Sequence, residues 1–231
     1  MMIRRFRMAI NKRVAHFRRN DHGLALLEFA LSAPLIIAIG GYGLECANLA
    51  VINMRVSQYT MDLADNAARM GDEGGLSSYT VDEANINDAM QGIRLEGQGI
   101  KLTTYGRITL SSLEGTSTNT GQLLHWQRCI GLMNGTGYAS SYGTASGTAG
   151  TYIAATGMGD AGSQVVAPTG FGVMFVEVNY LYQPLFGSLF VAPRRLHYVS
   201  SYIVRDDARS YVSGVTNTNG QTVSSCSTTM A

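Results

Sequence analysis

The chain has 231 residues, which suits one domain with attachments rather than two large domains. Charged residues make up 14% of it and 27 residues are glycine, where about 25% charged and about 7% glycine are usual in a soluble domain. The net charge of +1 conceals an asymmetry: residues 1–22 hold seven basic residues and one acid, +6, and the remainder holds ten basic and fifteen acidic, −5. Such a balance excludes a basic nucleic-acid binder and an acidic disordered chain.

The basic leader (Arg4, Arg5, Arg7, Lys12, Arg13, Arg18, Arg19) precedes an apolar run from Leu24 to Leu44, LALLEFALSAPLIIAIGGYGL. Its 21 residues carry one charge, Glu28, and at about 1.5 Å per helical residue they reach roughly 31 Å, enough to cross a bilayer core. The positive-inside rule then puts the N-terminus in the cytoplasm and residues 45–231 across the membrane. A cleaved signal peptide fits less well. Its apolar core is shorter and lacks an acid, although Ala38-Ile39-Gly40 offers a weak cleavage site. A lipoprotein signal at Cys46 fits poorly as well, because the preceding residue is Glu45 rather than a small one.

Glu28 is costly inside a membrane, roughly 2.5–3.5 kcal/mol on insertion scales, so it points to function unless it snorkels to the interface. The string Gly23-Leu24-Ala25-Leu26-Leu27-Glu28-Phe29, behind a basic leader and followed by Pro34, resembles the processing site of type IV-pilin-like proteins. In particular it resembles the TadE-like pseudopilins of the bacterial tight-adherence (Flp) pilus system. That resemblance implies cleavage between Gly23 and Leu24 by a prepilin peptidase, a membrane aspartyl protease, on the cytoplasmic face. It further implies that Glu28 and Phe29 belong to the recognised motif. Glu28, the acid at the fifth mature position, is recognised by the peptidase or the secretion machinery and pairs with the new amino terminus. A buried charge is tolerable when matched in this way.

Beyond the apolar run, Leu49, Ile52, Val56, Tyr59, Leu63, Ala67 and Met70 recur at helical spacing, predicting an amphipathic stripe. Residues 24–70 would form one long helix with kink points at Pro34 and Gly40-Gly41-Gly43, its stripe packed on its own domain or on a neighbouring subunit. Gly71-Asp72-Glu73-Gly74-Gly75 stops it. Thr80-Val81-Asp82-Glu83 reads as a capping box for a second helix with Ile86, Ala89, Met90 and Ile93 on its apolar face. Strands are expected over Lys101–Leu113, Gln122–Arg128, Phe171–Tyr182 and Leu196–Arg205. The fold class is therefore α+β, with an antiparallel sheet carried beyond a long helix. Residues 130–168, rich in Gly, Ser and Thr, are expected to form a mobile surface loop or an exposed contact loop anchored by Tyr138, Tyr142 and Tyr152.

Of the 3 cysteines, Cys46 reads as a small buried hydrophobe. Cys226 lies in a Ser/Thr/Asn-rich tail with no apolar reason to be ordered, and the exported side is oxidising. A Cys129–Cys226 disulfide is expected, with two free thiols as the competing reading. It would be worth roughly 4–5 kcal/mol on the chain-entropy model. The segment Trp126-Gln127-Arg128-Cys129 followed by a late cysteine also loosely resembles the TadE-like pattern.

Catalytic motifs do not emerge. Gly157-Met158-Gly159-Asp160-Ala161-Gly162 matches a dinucleotide-binding G-x-G-x-x-G, but Ser163–Pro168 is too short and β-branched to open the required helix. Asp206-Asp207 beside Arg205 and Arg209 reads as a solvated cluster, Arg194-Arg195 as a solvated turn or a lipid or partner contact, and the sequon Asn134-Gly135-Thr136 as uninformative. Neither metal nor cofactor is expected.

The organisation expected is a cytoplasmic basic leader (1–23), a transmembrane and extended amphipathic helix (24–70) and a periplasmic pilin-like α+β domain (71–231) containing loop 130–168. The expected function, resting on the resemblance, is that of a non-catalytic pseudopilin or minor pilin, located in the bacterial inner membrane or carried on into the extracellular pilus. Its partners would be the prepilin peptidase, other pilins and pseudopilins, the pilus secretion machinery and the lipid bilayer, with no nucleic acid. The alternative is a signal-anchored periplasmic adhesin or ligand-binding module that never enters a pilus.

Overall fold

The computed structural model describes residues 23–70, 72–74, 78–116, 121–145, 150–154, 156–204 and 214–230. The fold is α+β: a long N-terminal apolar helix followed by an antiparallel sheet. Helix α1, Leu24–Ala67, has 44 residues, about 66 Å at 1.5 Å each. It runs continuously through Pro34 and Gly40-Gly41-Gly43, the expected kink points. It closes in a turn at Ala68 and Arg69, just short of the expected end at residue 70.

Two short strands, β1 (Asp72–Gly74) and β2 (Ser78–Asp82), form a small hairpin before α2 (Glu83–Glu96). The expected capping box exists but sits two residues later. Asp82 accepts from the Ala84 N–H at 3.0 Å, and Asn85 Oδ1 accepts from the Asp82 N–H at 3.0 Å. Glu83, released from that role, forms a buried bidentate pair with Arg128, with Nε and Nη2 each 2.7 Å from a carboxylate oxygen. The expected strand at Lys101 is corrected as well. The chain must reverse between α2 and the sheet, so Lys101 takes a left-handed turn (φ 52°) and Leu102–Tyr105 makes one helical turn, α3. Only then does β3 begin, Gly106–Gly115.

The remaining strands are β4 (Gln122–Ile130), β5 (Thr151–Ile153), β6 (Gly172–Leu181), β7 (Arg195–Ile203) and the short β8 (Val215–Thr216), which joins β2 in parallel. The main sheet has the order β5-β4-β3-β6-β7, antiparallel throughout. Register places Ile108 opposite both Ile130 and Val178, and Leu110 opposite Val176. Period-two alternation therefore sends Ile108, Leu110, Trp126, Ile130, Met174, Val176, Val178 and Tyr180 to one face. On that face they form a single core with Val56, Leu63 and Ala67 of α1 and Ile86, Met90 and Ile93 of α2. The stripe read from the sequence thus packs on its own domain, with Leu49, Ile52 and Tyr59 at its edge.

The opposite face is also covered, because β6 is buried along nearly its whole length. Its cover comes from described residues of 130–168, which pack on the sheet instead of standing off it as a mobile loop would. Met158, Val165, Ala167, Tyr142 and Ile153 pack onto Leu113, Leu124, Val173 and Phe175 of the sheet. Tyr142 meets Phe175 edge to face at 5.4 Å and stacks on His197; of the three tyrosines expected as anchors, Tyr138 and Tyr142 are half-buried and Tyr152 is largely exposed. The G-x-G-x-x-G stretch makes a tight turn closed by Met158 and Val165, with no helix after it. Gly157 is required there: its φ is +86°, and a Cβ would lie 1.9 Å from the Val165 carbonyl.

The expected Cys129–Cys226 disulfide is present, with Cα atoms 4.7 Å apart. It is one of several ties on the tail. Arg107, nearly fully buried, donates to the carbonyls of Gly131, Thr228 and Cys226 at 2.7–3.1 Å. The Cys129 N–H donates to Ser224 O at 2.8 Å, so the tail covers the part of β4 that β5 leaves open. Cys46 is a free, half-buried thiol rather than a core residue. The charges at Arg205, Asp206, Asp207 and Arg209, like the leader, lie outside the described residues.

Two outcomes follow. Replacing Glu83 by Ala leaves Arg128 uncompensated beneath α2 and should cost about 3–5 kcal/mol in denaturant unfolding. Asp82 is held down to about 2 by the Ala84 and Thr218 N–H groups, against the cost of desolvation, and by the Thr216 hydroxyl. Its folded value is depressed, so its contribution is complete above about pH 4 and lost as pH falls towards about 2. Asp82→Asn should flatten the wild-type loss of melting temperature across that window.

Candidate functional site

Helix α1 changes surroundings at Glu45. Before it, no residue is buried in an 18-residue stretch of mean hydropathy 2.0, long and apolar enough to cross a membrane. After it, Val56, Thr60, Leu63, Ala64 and Ala67 are buried against the sheet. Glu45 itself is 0% exposed.

The Glu45 carboxylate is the hub of a clamp between α1 and the β6–β7 connection. The Tyr182 hydroxyl donates to Oε1. The Leu185 N–H donates to both oxygens at 3.1–3.2 Å and the Phe186 N–H donates to Oε2 at 3.2 Å. Asn48, one turn along the helix, donates to the Tyr182 hydroxyl at 2.8 Å. Every partner of the carboxylate is a donor, as an ionised acid requires. Deeper in the domain the same helix is tied again, the Tyr198 hydroxyl donating to Asn53 Oδ1 at 2.9 Å. Just below the clamp, the ring of Phe190 lies on Gly41, where a Cβ would come within 2.7 Å of it.

The residues singled out in the sequence are distributed along this axis. Gly23 stands at the helix start, and Leu24, Glu28 and Phe29 are exposed on the uncovered half. Glu28 makes no ion pair among the described residues. It lies 17 residues before Glu45, about 25 Å along the axis, so the two acids are separate features. Cys129 and Cys226 are bonded to each other on the sheet, where they hold the tail.

The sheet face beneath residues 130–168 carries a second polar network. Glu177 accepts from the Ser141 N–H at 3.1–3.2 Å, from Asn179 at 3.2 Å, and meets His197 Nε2 at 3.1 Å. Burial pushes its carboxyl up, and these hydrogen bonds outweigh that and hold it below its ordinary value. Glu114, beside His125 Nδ1 at 2.9 Å, goes the other way: burial dominates and raises it. Gln127 bridges Ser111, the Gly143 carbonyl and the Ala145 N–H. Glu177 and Gln127 fasten the loop to the sheet, whereas Glu114 has the register parity of Ser112 and Leu110, towards the other face, and bonds Ser112 and His125. Hollows of about 130 and 430 Å³ flank the disulfide, but their polar residues Arg107, Gln127 and Arg128 are already bonded within the protein. Among the described residues no three His, Cys, Asp or Glu side chains gather as metal ligands would.

Sequence reasoning used Glu45 only to set aside a lipoprotein signal. Its signal was present: it lies four residues before Leu49, on the same stripe as Ile52 and Val56, where the apolar run ends. An acid on the buried face of an amphipathic helix demands donors from elsewhere in the fold. No family model, curated protein or solved structure matches the chain.

Removing the clamp should free the β6–β7 connection without unfolding the sheet. In Glu45→Ala, amide exchange at Leu185 and Phe186 should rise at least about tenfold, the scale of one hydrogen bond to a charged group. Exchange within β3 and β6 should stay unchanged, and Glu45→Gln, which keeps one acceptor oxygen, should fall between.

Proposed function

We propose that this chain is a non-catalytic, membrane-anchored pseudopilin or minor pilin of the TadE-like type that takes part in assembly of a tight-adherence pilus. The observation that carries the reading is the uncovered half of α1. It projects from a folded α+β domain with Gly23 and Leu24 at its beginning and one acid, Glu28, on its apolar length. A helix with one half bare and the other built into the domain suits a part that is anchored first and handed to an assembly later. Leucines, isoleucines and Phe29 left in water would be a large exposed apolar surface, the mark of a membrane or protein contact.

In this reading the prepilin peptidase cuts between Gly23 and Leu24, removing the basic leader that holds the N-terminus in the cytoplasm. The new amino terminus then lies one helical turn from Glu28, close enough to neutralise it in lipid. The domain from residue 71 onward stands in the periplasm and meets other pilins, pseudopilins and the secretion machinery.

The test is the intact mass and N-terminal sequence of the protein recovered from its own host's membranes. A chain beginning at Leu24, and one that keeps its leader when Gly23 is replaced by Trp, is the expected outcome. Glu28→Ala should insert normally yet lose pilus assembly. A chain that retains the leader would overturn processing and favour a signal-anchored periplasmic module. A cut near Gly40 would remove the anchor altogether.

A further inference from the structure

The β6–β7 connection, residues 183–193 (QPLFGSLFVAP), is an apolar loop. Leu185, Phe186 and Leu189 are 58%, 44% and 75% exposed, and the loop carries no charge before Arg194. It is not a loose excursion. The Tyr182 N–H donates to the Arg194 carbonyl at 2.9 Å and closes its neck, Glu45 holds the Leu185 and Phe186 amides, and the Phe186 and Phe190 rings meet edge to face at 5.7 Å. The clamp therefore fixes these apolar side chains outward.

Its position identifies what covers it. Phe190 rests on Gly41, four residues inside the apolar half of α1, which puts the loop about 6 Å towards the membrane from Glu45. Interfacial elements bury their apolar faces to about 5–10 Å. Backbone amides brought that close to hydrocarbon need internal partners, and the Glu45 carboxylate supplies two of them. Arg194, exposed at the neck, stands at headgroup level.

We infer that residues 185–190 form a second membrane contact, seated in the outer boundary of the same bilayer that α1 crosses. The inference rests on the membrane-anchored reading above and extends it. Together with the helix, the loop gives the domain two points of attachment and so one fixed tilt over the lipid surface. Before assembly the domain is held flat against the membrane by the loop. Extraction of the helix must lift the loop from the lipid at the same time.

The experiment uses the full chain, in a Cys46→Ser background, in vesicles of phosphatidylethanolamine and phosphatidylglycerol. A single environment-sensitive fluorophore is attached at Leu189→Cys, at Leu35→Cys within the apolar half, or at Asn219→Cys in the tail. Lipids carrying a nitroxide either high or low on the acyl chain serve as quenchers. The expected result is that Leu35 loses most of its emission to the deep nitroxide, Leu189 to the shallow one, and Asn219 to neither. Quenching at Leu35 without quenching at Leu189 would overturn the inference while leaving the anchor intact. A blue-shifted but unquenched Leu189 would mean that a protein covers the loop, which also overturns it. Loss of quenching at Leu35 would sink the membrane reading itself and the inference with it. Where labelling at Leu189 breaks the disulfide or protease resistance, Phe186→Cys carries the same probe on the same loop.

Discussion

A sheet face lined by Ile108, Leu110, Met174, Val176, Val178 and Tyr180 has to be removed from water, and most of the cover comes from the C-terminal half of α1. That requirement governs the rest of the molecule. A helix that packs lengthwise on strands must present one continuous face, so Val56, Leu63 and Ala67 turn inward together. The helix is much longer than the sheet is deep, however, and its first half passes beyond the edge of the domain, where Phe190 reaches Gly41 but no residue of the apolar window is buried. The same element is therefore a core helix at one end and a bare apolar rod at the other.

The junction between these two environments carries a buried carboxylate, Glu45. A carboxylate at Glu45 is unfavourable in both an apolar core and a bilayer, and it is stable there because Tyr182, Leu185 and Phe186 all donate to it. The geometry ties the angle of the helix to the path of the β6–β7 connection. Ties further along, Tyr198 to Asn53 and Arg128 to Glu83, fix α1 and α2 against the same sheet. The long helix is thus tied to the domain at more than one level, by Glu45 at the edge and by Asn53 further in.

The two faces of the sheet are closed by different means. The face towards α1 is apolar and relies on the hydrophobic effect. The other is partly polar, with Thr109, Ser111, Glu177 and Asn179 buried on it, and relies on hydrogen bonds to the backbone of residues 130–168. A glycine-rich segment suits that purpose: small residues let backbone amides approach buried carboxylates closely. Its composition had suggested freedom, yet the same composition permits close docking when a polar surface waits beneath it. The tail behaves alike, bonded by Arg107 and the disulfide rather than by apolar burial.

Sequence by itself determined whatever depends on local periodicity and on strongly biased segments. The helix from Leu24, its stripe from Leu49 to Met70, the second helix and the four long strands all follow from spacing that a residue's near neighbours set. The Cys129–Cys226 bond followed from a cysteine that had no other reason to be in a polar tail. Boundaries moved where the chain had to turn, as at Lys101 and at the cap that shifted from Thr80 to Asp82. Only the tertiary structure decided what Glu45, Glu83, Arg107 and Glu177 do, because, Asn179 beside Glu177 apart, their partners lie between 20 and 141 positions away in the chain. A buried charge is defined by the donors the fold brings to it, and no local pattern records which distant backbone will arrive.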